Sequence, residues 1–288
     1  MPADKSELAD LRREIDAIDD ALHDLLMRRV TLTGRVAASK PSSGVPLRPA
    51  REAEILRRLV ARHSGPFPKA VVARIWREII SANTALQASF AIAVLASRAS
   101  DAAVDDALVG VAREHYGALT PIQSFETASS VLRAVSDGRA TAALLPLPTV
   151  EDAEPWWRLI ARGATPGAAV PRIVARLPFA PGSPPAQEGL VVSLAPHQPS
   201  GSDRSYLVIE TDGEVSRSTL KKRLAAAGLE ALDMQSAGGQ QLVEVAGFVA
   251  PDSDALAAVA GAGGIARALA IGGYAIPFTA AELGGGKR

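Results

Sequence analysis

Cysteine is absent from this 288-residue chain, which removes disulfides, thiolate metal sites and a cysteine nucleophile at once. Neither sign of charge is in excess, since 31 Lys and Arg face 31 Asp and Glu. Residues 1–90 nevertheless carry fifteen cations against eleven anions. An excess of four, interleaved with acids, is too mild for the basic stripe of a nucleic-acid surface and leaves room for a small anionic ligand. His23, His63, His115 and His197 show neither HExxH nor any other metal-ligand spacing, so packing or surface roles are expected for them, with no metal. No apolar run reaches the roughly 18 residues of a membrane span. The opening MPADKSELADLRREID is charged where a secretion signal needs an apolar core. The expectation is a cytoplasmic protein with neither membrane nor nucleic acid as a partner.

What the chain does have is a long amphipathic run from Glu7 towards Pro41. Leu8, Leu11, Ile15, Ile18, Leu22, Leu25, Leu32 and Val36 recur at spacings of three, four or seven, which is one face of a helix. At 1.5 Å per residue, such a helix is about 50 Å long, too long to cover its own apolar stripe. It needs a partner helix, expected from a second copy of the chain. At 100° per residue, Arg29 and Lys40 fall about 20° apart on one line with Val36 between them, whereas Arg12 falls about 100° from Arg29. An antiparallel partner brings Arg12 within reach of the other two. Three such cations fit a small dianion, although any one of them is equally what a solvated surface presents.

The remaining pattern divides the chain further. A second helix is expected from Ala50 to His63 with Pro49 in its first turn, and a third from Pro68 to Ala88 with Val72, Ile75, Ile79, Ala82 and Leu86 on its buried face. From Phe90 the rhythm changes to strand FAIAVLAS, helix Asp101–Tyr116, strand TPIQSFE, helix Thr127–Asp137 and strand TAALLPLP, an αβ lobe. A Pro- and Gly-rich stretch comes next, with strands PRIVARLPF and GLVVSLA inside it and Trp156-Trp157 as a packing anchor. From Arg204 a βαββαβ order appears, the ferredoxin-like arrangement. Gly261-Ala262-Gly263-Gly264-Ile265-Ala266 matches GxGxxA by letter, but follows a helix and precedes a strand, the reverse of a dinucleotide site. The fold class expected is a multidomain α plus α/β chain, divided at residues 1–89, 90–200 and 201–288.

LADLRREIDAID, LLMRRV, RVAASK, REAEIL and IISANTALQ, taken together, resemble the all-helical class of chorismate mutase, an intertwined homodimer of three-helix chains that converts chorismate to prephenate. The resemblance covers about the first 90 residues. It implies that Arg29 and Lys40, with Arg12 from the partner subunit, bind the two carboxylates of the substrate. It also implies that Lys40 and Gln87 donate to the ether oxygen, and that Glu52 accepts the ring hydroxyl. Arg51 and Asn83 complete the polar wall, and Val36 and Ile80 supply apolar contact. Asn83 stands where a Ser is common, and Pro49-Ala50 where an Asp contributes. No cofactor is implied, because a Claisen rearrangement needs the substrate folded and the growing negative charge on its ether oxygen stabilised.

Residues 90–288 look like a reduced form of the region C-terminal to the mutase in bifunctional chorismate mutase–prephenate dehydratases. LLPLPT occupies the place of a strand leading into a PIEN segment, a second lobe and the Thr-Arg-Phe signature are missing, and EGLVVSLA stands in the likely place of the latter. The last 85 residues are similar in layout to an ACT regulatory domain, with DMQS in place of the ESRP motif and an aromatic amino acid as the effector implied. Two other readings stay open: a bifunctional enzyme that retains dehydratase activity, and a non-catalytic regulatory subunit that senses aromatic amino acids.

Overall fold

A computed structural model describes residues 5–39, 44–96, 102–152, 154–163, 170–181, 187–213 and 215–284. The chain forms two compact units, residues 1–44 and 45–288. The first is one helix, α1 (Lys5–Ala38), of 34 residues. The eight apolar residues of the expected stripe are all 44–59% exposed, and no described side chain of this unit is buried. Lys40 lies outside the described residues.

In the second unit, α2 (Pro49–Arg62) opens on Pro49, whose missing N–H costs nothing at a helix start. α3 (Lys69–Ala85) follows after a short turn. Then come β1 (Ile92–Leu95), α4 (Ala102–Tyr116), β2 (Ile122–Phe125), α5 (Ala128–Ser136) and β3 (Ala142–Pro146). β1 pairs in parallel with both β2 and β3, as the alternation of strand and helix dictates. A helix not foreseen in the Pro- and Gly-rich stretch, α6 (Trp157–Gly163), precedes β4 (Arg172–Leu177) and β5 (Gly189–Ser193). It buries Trp156 and Trp157 as packing anchors, and the Trp156 Nε1 donates to the Pro146 carbonyl at 3.1 Å.

The closing run is β6 (Asp203–Thr211), α7 (Arg217–Ala226), β7 (Ala231–Ala237), β8 (Gln240–Ala246), α8 (Asp254–Ala260) and β9 (Ile265–Ala275), the βαββαβ order read from the sequence. Ser216 and Ser253 cap α7 and α8 by accepting from the backbone N–H of Thr219 and Leu256. The nine strands found among the described residues form one sheet in the order β2-β1-β3-β5-β4-β9-β6-β8-β7. One face carries a core shared by α2, α3 and α4, including Leu47, Leu56, Ala73, Val111, Ile92 and Leu144. α5 and α6 pack on the other face, while α7 and α8 cover the tail strands around Leu207, Leu220, Leu224 and Val243.

α2 is tied to the sheet as well as to α3. Its Arg57 donates to the carbonyls of Ser200, Ser202 and Ile276 at 2.9–3.1 Å, so one guanidinium fastens the helix to the start of β6 and the end of β9. α3 itself departs from the sequence reading in two respects. Its inward face holds Ala73, Arg77, Ile80, Ser81 and Thr84, while Ile75 is 42% and Leu86 71% exposed. Of the five residues expected inside, Val72 is buried and Ile79 half-buried, while polar Arg77, Ser81 and Thr84 join the inward stripe because the inner neighbours of α3 include a carboxylate and a backbone carbonyl. The helix also ends at Ala85 rather than Ala88, as the chain turns to bring buried Phe90 into line with β1.

The seam of the sheet lies where β4 meets β9, in parallel and at a single pair, Ile173 with Gly272. Gly272 has φ +115°, and a Cβ there would stand 2.0 Å from the Ile173 carbonyl oxygen. Gly272→Ala is therefore expected to cost more than about 3 kcal/mol in stability. Gly263→Ala, with open space around the added atom, should stay within about 0.5 kcal/mol of the parent. Urea midpoints of the two variants check this, and equal midpoints would show that the seam tolerates a side chain.

Candidate active site

Arg51 and Glu52 sit in the first turn of α2 and leave it in different directions. Arg51 is exposed and pairs along the helix surface with Glu54 at 2.8 Å, an arrangement of small energetic weight in water. Glu52 turns inward and is only 6% exposed. A carboxylate taken out of water needs a cation and hydrogen bonds to offset its lost solvation. Arg77 on α3, 5% exposed, supplies both, its Nη1 donating to Glu52 Oε2 at 2.7 Å. The same guanidinium donates through Nε to the His115 carbonyl at 3.0 Å, near the end of α4. Ser81, one turn further along α3, donates to that carbonyl at 3.3 Å.

The neighbouring titratable groups register this charge. Burial, followed by the nearby Arg77, holds the His115 imidazole well below the ordinary histidine range. Burial and the Glu52 carboxylate push the Tyr116 phenol upward, with Arg77 acting against them. A cavity of about 180 Å³ on this side of α3 is lined by Arg74, Arg77, Glu114 and His115, and by none of the site residues expected from the sequence.

Further along α3, Ile80 and Asn83 are buried. Asn83 lies six residues beyond Arg77, about 9 Å along the helix axis. Its Nδ2 donates to the Ile79 carbonyl at 2.6 Å. Gln87, expected on the helix, lies in the turn that follows it and is exposed, with its Nε2 reaching back to the Asn83 carbonyl at 3.0 Å. On α1, Arg12 and Val36 are exposed and Arg29 is half-buried, and loss of solvation lowers the Arg29 pKa. The second unit thus holds Arg51, Glu52, Ile80 and Asn83 on one helix pair and Gln87 in the turn just beyond it, and the first holds Arg12, Arg29 and Val36.

Among the described residues six buried side-chain nitrogen or oxygen atoms lack a hydrogen-bond partner, and two of these are Arg29 Nη1 and Asn83 Oδ1. Each such atom left unmet costs about 1–3 kcal/mol, so hydrogen-bonding capacity is unused at two of the expected substrate contacts. Arg77 was missed by sequence reasoning. Its signal was a cation at the fourth place after Ala73 and the third before Ile80, inside a stripe that the fold buries.

Residues 11–88 match the family model described as chorismate mutase type II. This segment is a chorismate mutase type II domain. A bifunctional chorismate mutase/prephenate dehydratase of Aquifex aeolicus is 35% identical over 99 residues, which are 33% of this chain and 27% of that protein. The corresponding protein of Pseudomonas aeruginosa is 28% identical over 151 residues, 50% of this chain and 40% of its own length. The chain thus spans less than half the length of the curated relatives it matches. Among solved structures, a prephenate dehydratase from Streptococcus mutans aligns with 66% of this chain and 100% of its own at 13% identity and a TM-score of 0.44.

His115 beside the mutase domain's Arg77 yields a pH prediction. The unfolded chain protonates this imidazole near pH 6.5 and the folded chain does so only at lower pH, so the unfolded state binds more protons as pH falls below about 6.5. Stability should decline from that point, by up to about 1.4 kcal/mol per pH unit from this one group. His115→Gln should flatten the fall in Tm between pH 7 and 5, and an unchanged slope would count against a half-buried imidazole held neutral by its surroundings.

Proposed function

We propose that this chain is a chorismate mutase, rearranging chorismate to prephenate in aromatic amino acid biosynthesis as a homodimer of cytoplasmic location. The observation that carries the reading is the family match over residues 11–88, within which Arg12, Arg29, Arg51, Glu52, Asn83 and Gln87 stand at the positions of the resemblance, with Lys40 on the same run. Arg12, Arg29 and Lys40 bind the two carboxylates and fold the enolpyruvyl arm over the ring. Glu52 accepts the ring hydroxyl, with Arg51 and Asn83 beside it and Val36 and Ile80 against the apolar edge. As the C–O bond breaks, Lys40 and Gln87 donate to the ether oxygen where negative charge grows. The chemistry calls for no nucleophile and no cofactor.

Support for the dimer comes from the apolar stripe of α1, every residue of which is exposed in the single chain, together with exposed Ile75 and Leu86 on α3. A second copy covers such a surface and carries Arg12 across. No described helix is long and apolar enough to cross a membrane. The tail strands β6–β9 with α7 and α8 are read as an ACT-type domain whose effector is an aromatic amino acid. The names of the relatives favour a second reading, a bifunctional mutase–dehydratase, against which the missing Thr-Arg-Phe signature weighs. Phenylpyruvate formation from prephenate separates the two, and loss of chorismate absorbance separates both from a non-catalytic regulatory subunit.

The purified protein should consume chorismate, and Lys40→Ala should lose on the order of 3 kcal/mol or more of transition-state stabilisation. Near-parental turnover in that variant would remove Lys40 from the site. Gln87→Glu should be nearly inactive at neutral pH and recover on acidification, because the ionised carboxylate repels the developing charge while its protonated form donates. A flat pH profile would argue against contact with the ether oxygen.

A subunit-mixing experiment addresses Arg12. Co-refolding Arg12→Ala with Lys40→Ala chains in equal amounts should restore about a quarter of parental activity, since half the dimers are mixed and each mixed dimer holds one intact site. No recovery in the presence of verified mixed dimers would place Arg12 outside the partner's site.

A further inference from the structure

We propose that Arg77 is a positioning residue for Glu52 and that the αβ lobe, through the His115 carbonyl, takes part in holding the mutase site; this inference rests on the mutase reading above. Three observations lead there. Glu52 and Arg77 are both almost wholly buried and 2.7 Å apart, on α2 and α3. Among the described residues Arg77 engages Glu52 through Nη1 at Oε2, which leaves the second carboxylate oxygen with lone pairs for a substrate hydroxyl. The Arg77 Nε–H is committed to the His115 carbonyl at 3.0 Å, which fixes the plane of the guanidinium.

A planar fork held at one end has little freedom at the other. With Nε anchored on α4, Nη1 dictates where Oε2 sits, and the rigid carboxylate plane then dictates where Oε1 sits. Ser81 on the same carbonyl holds α3 in register with the end of α4. The chain of contacts therefore runs from the αβ lobe through Arg77 to the carboxylate that meets the substrate. A lysine keeps the charge but presents it as a rotating point, without a planar fork spanning both acceptors.

The contact that Arg77 aims is to the ring hydroxyl, a group that does not react and is bound alike in the ground and transition states. Its loss should appear in KM far more than in kcat. General loosening of the fold does the reverse, since fewer active molecules lower kcat and leave KM unchanged. The two explanations are separable on one set of kinetic curves.

The test measures chorismate turnover for the full-length protein carrying Arg77→Lys, Arg77→Met, Glu52→Ala and Glu52→Ala with Arg77→Met. Arg77→Lys, which preserves a charged pair in the core, should fold and raise KM by about fivefold or more, with kcat within about threefold of the parent. Arg77→Met should raise KM further. In the Glu52→Ala background, Arg77→Met should cost less than about twofold in kcat/KM, because the residue through which it acts is gone. Unchanged KM in Arg77→Lys, or an Arg77→Met cost as large without Glu52 as with it, would overturn the proposal. Absence of chorismate turnover in the unaltered protein would instead bring down the mutase reading and this inference with it. Turnover that is lost in Lys40→Ala but shows an unchanged KM in Arg77→Lys would sink the positioning role alone.

Discussion

An ionised carboxylate and a guanidinium inside a hydrophobic core constrain everything packed around them. Removing one member of a buried pair typically costs about 3–5 kcal/mol, because the other is left charged and unsolvated. Glu52 and Arg77 impose that condition on α2 and α3, and the carbonyl of His115 extends it to α4. Two helices of the mutase domain consequently lie on the face of a β-sheet and share its apolar core, with Leu56 and Ala73 buried among Ile92, Val111 and Leu144. Arg57 adds a second fixed point on α2, tying it to the ends of β6 and β9.

Much of this was legible in the amino-acid sequence. The length of α1, the Pro49 start of α2 and the strands of both β regions arise from periodicity and from Gly and Pro punctuation, which report local geometry directly. Long-range partners leave no such trace. The face of α3 illustrates the difference, since periodicity picks out Ile75, Ile79 and Leu86 as apolar, whereas Arg77, Ser81 and Thr84 turn inward. A stripe of apolar residues shows that something must cover it, without showing whether that cover is the same chain or another.

The candidate site divides along the same line. Arg12, Arg29, Lys40, Glu52 and Gln87 could be named because their residue types and spacing match a known pattern. Arg77 belongs to no such pattern, and its importance emerges only when α2, α3 and α4 are brought together. α6 was overlooked because seven residues between Pro- and Gly-rich segments carry too little periodicity, and its two tryptophans rather than its helical tendency hold it in place.

The position of β9 has a consequence for how the molecule is made. Among the described strands it comes last along the chain but sixth across the sheet, inserted between β4 and β6. Until residues 265–275 have left the ribosome, β6 presents the edge from Asp203 to Thr211 as unpaired backbone groups, while β4 lacks only the Ile173–Gly272 pairing. Everything translated earlier waits on that segment with its central gap unfilled, a period in which edge-to-edge association with other nascent chains competes with correct closure.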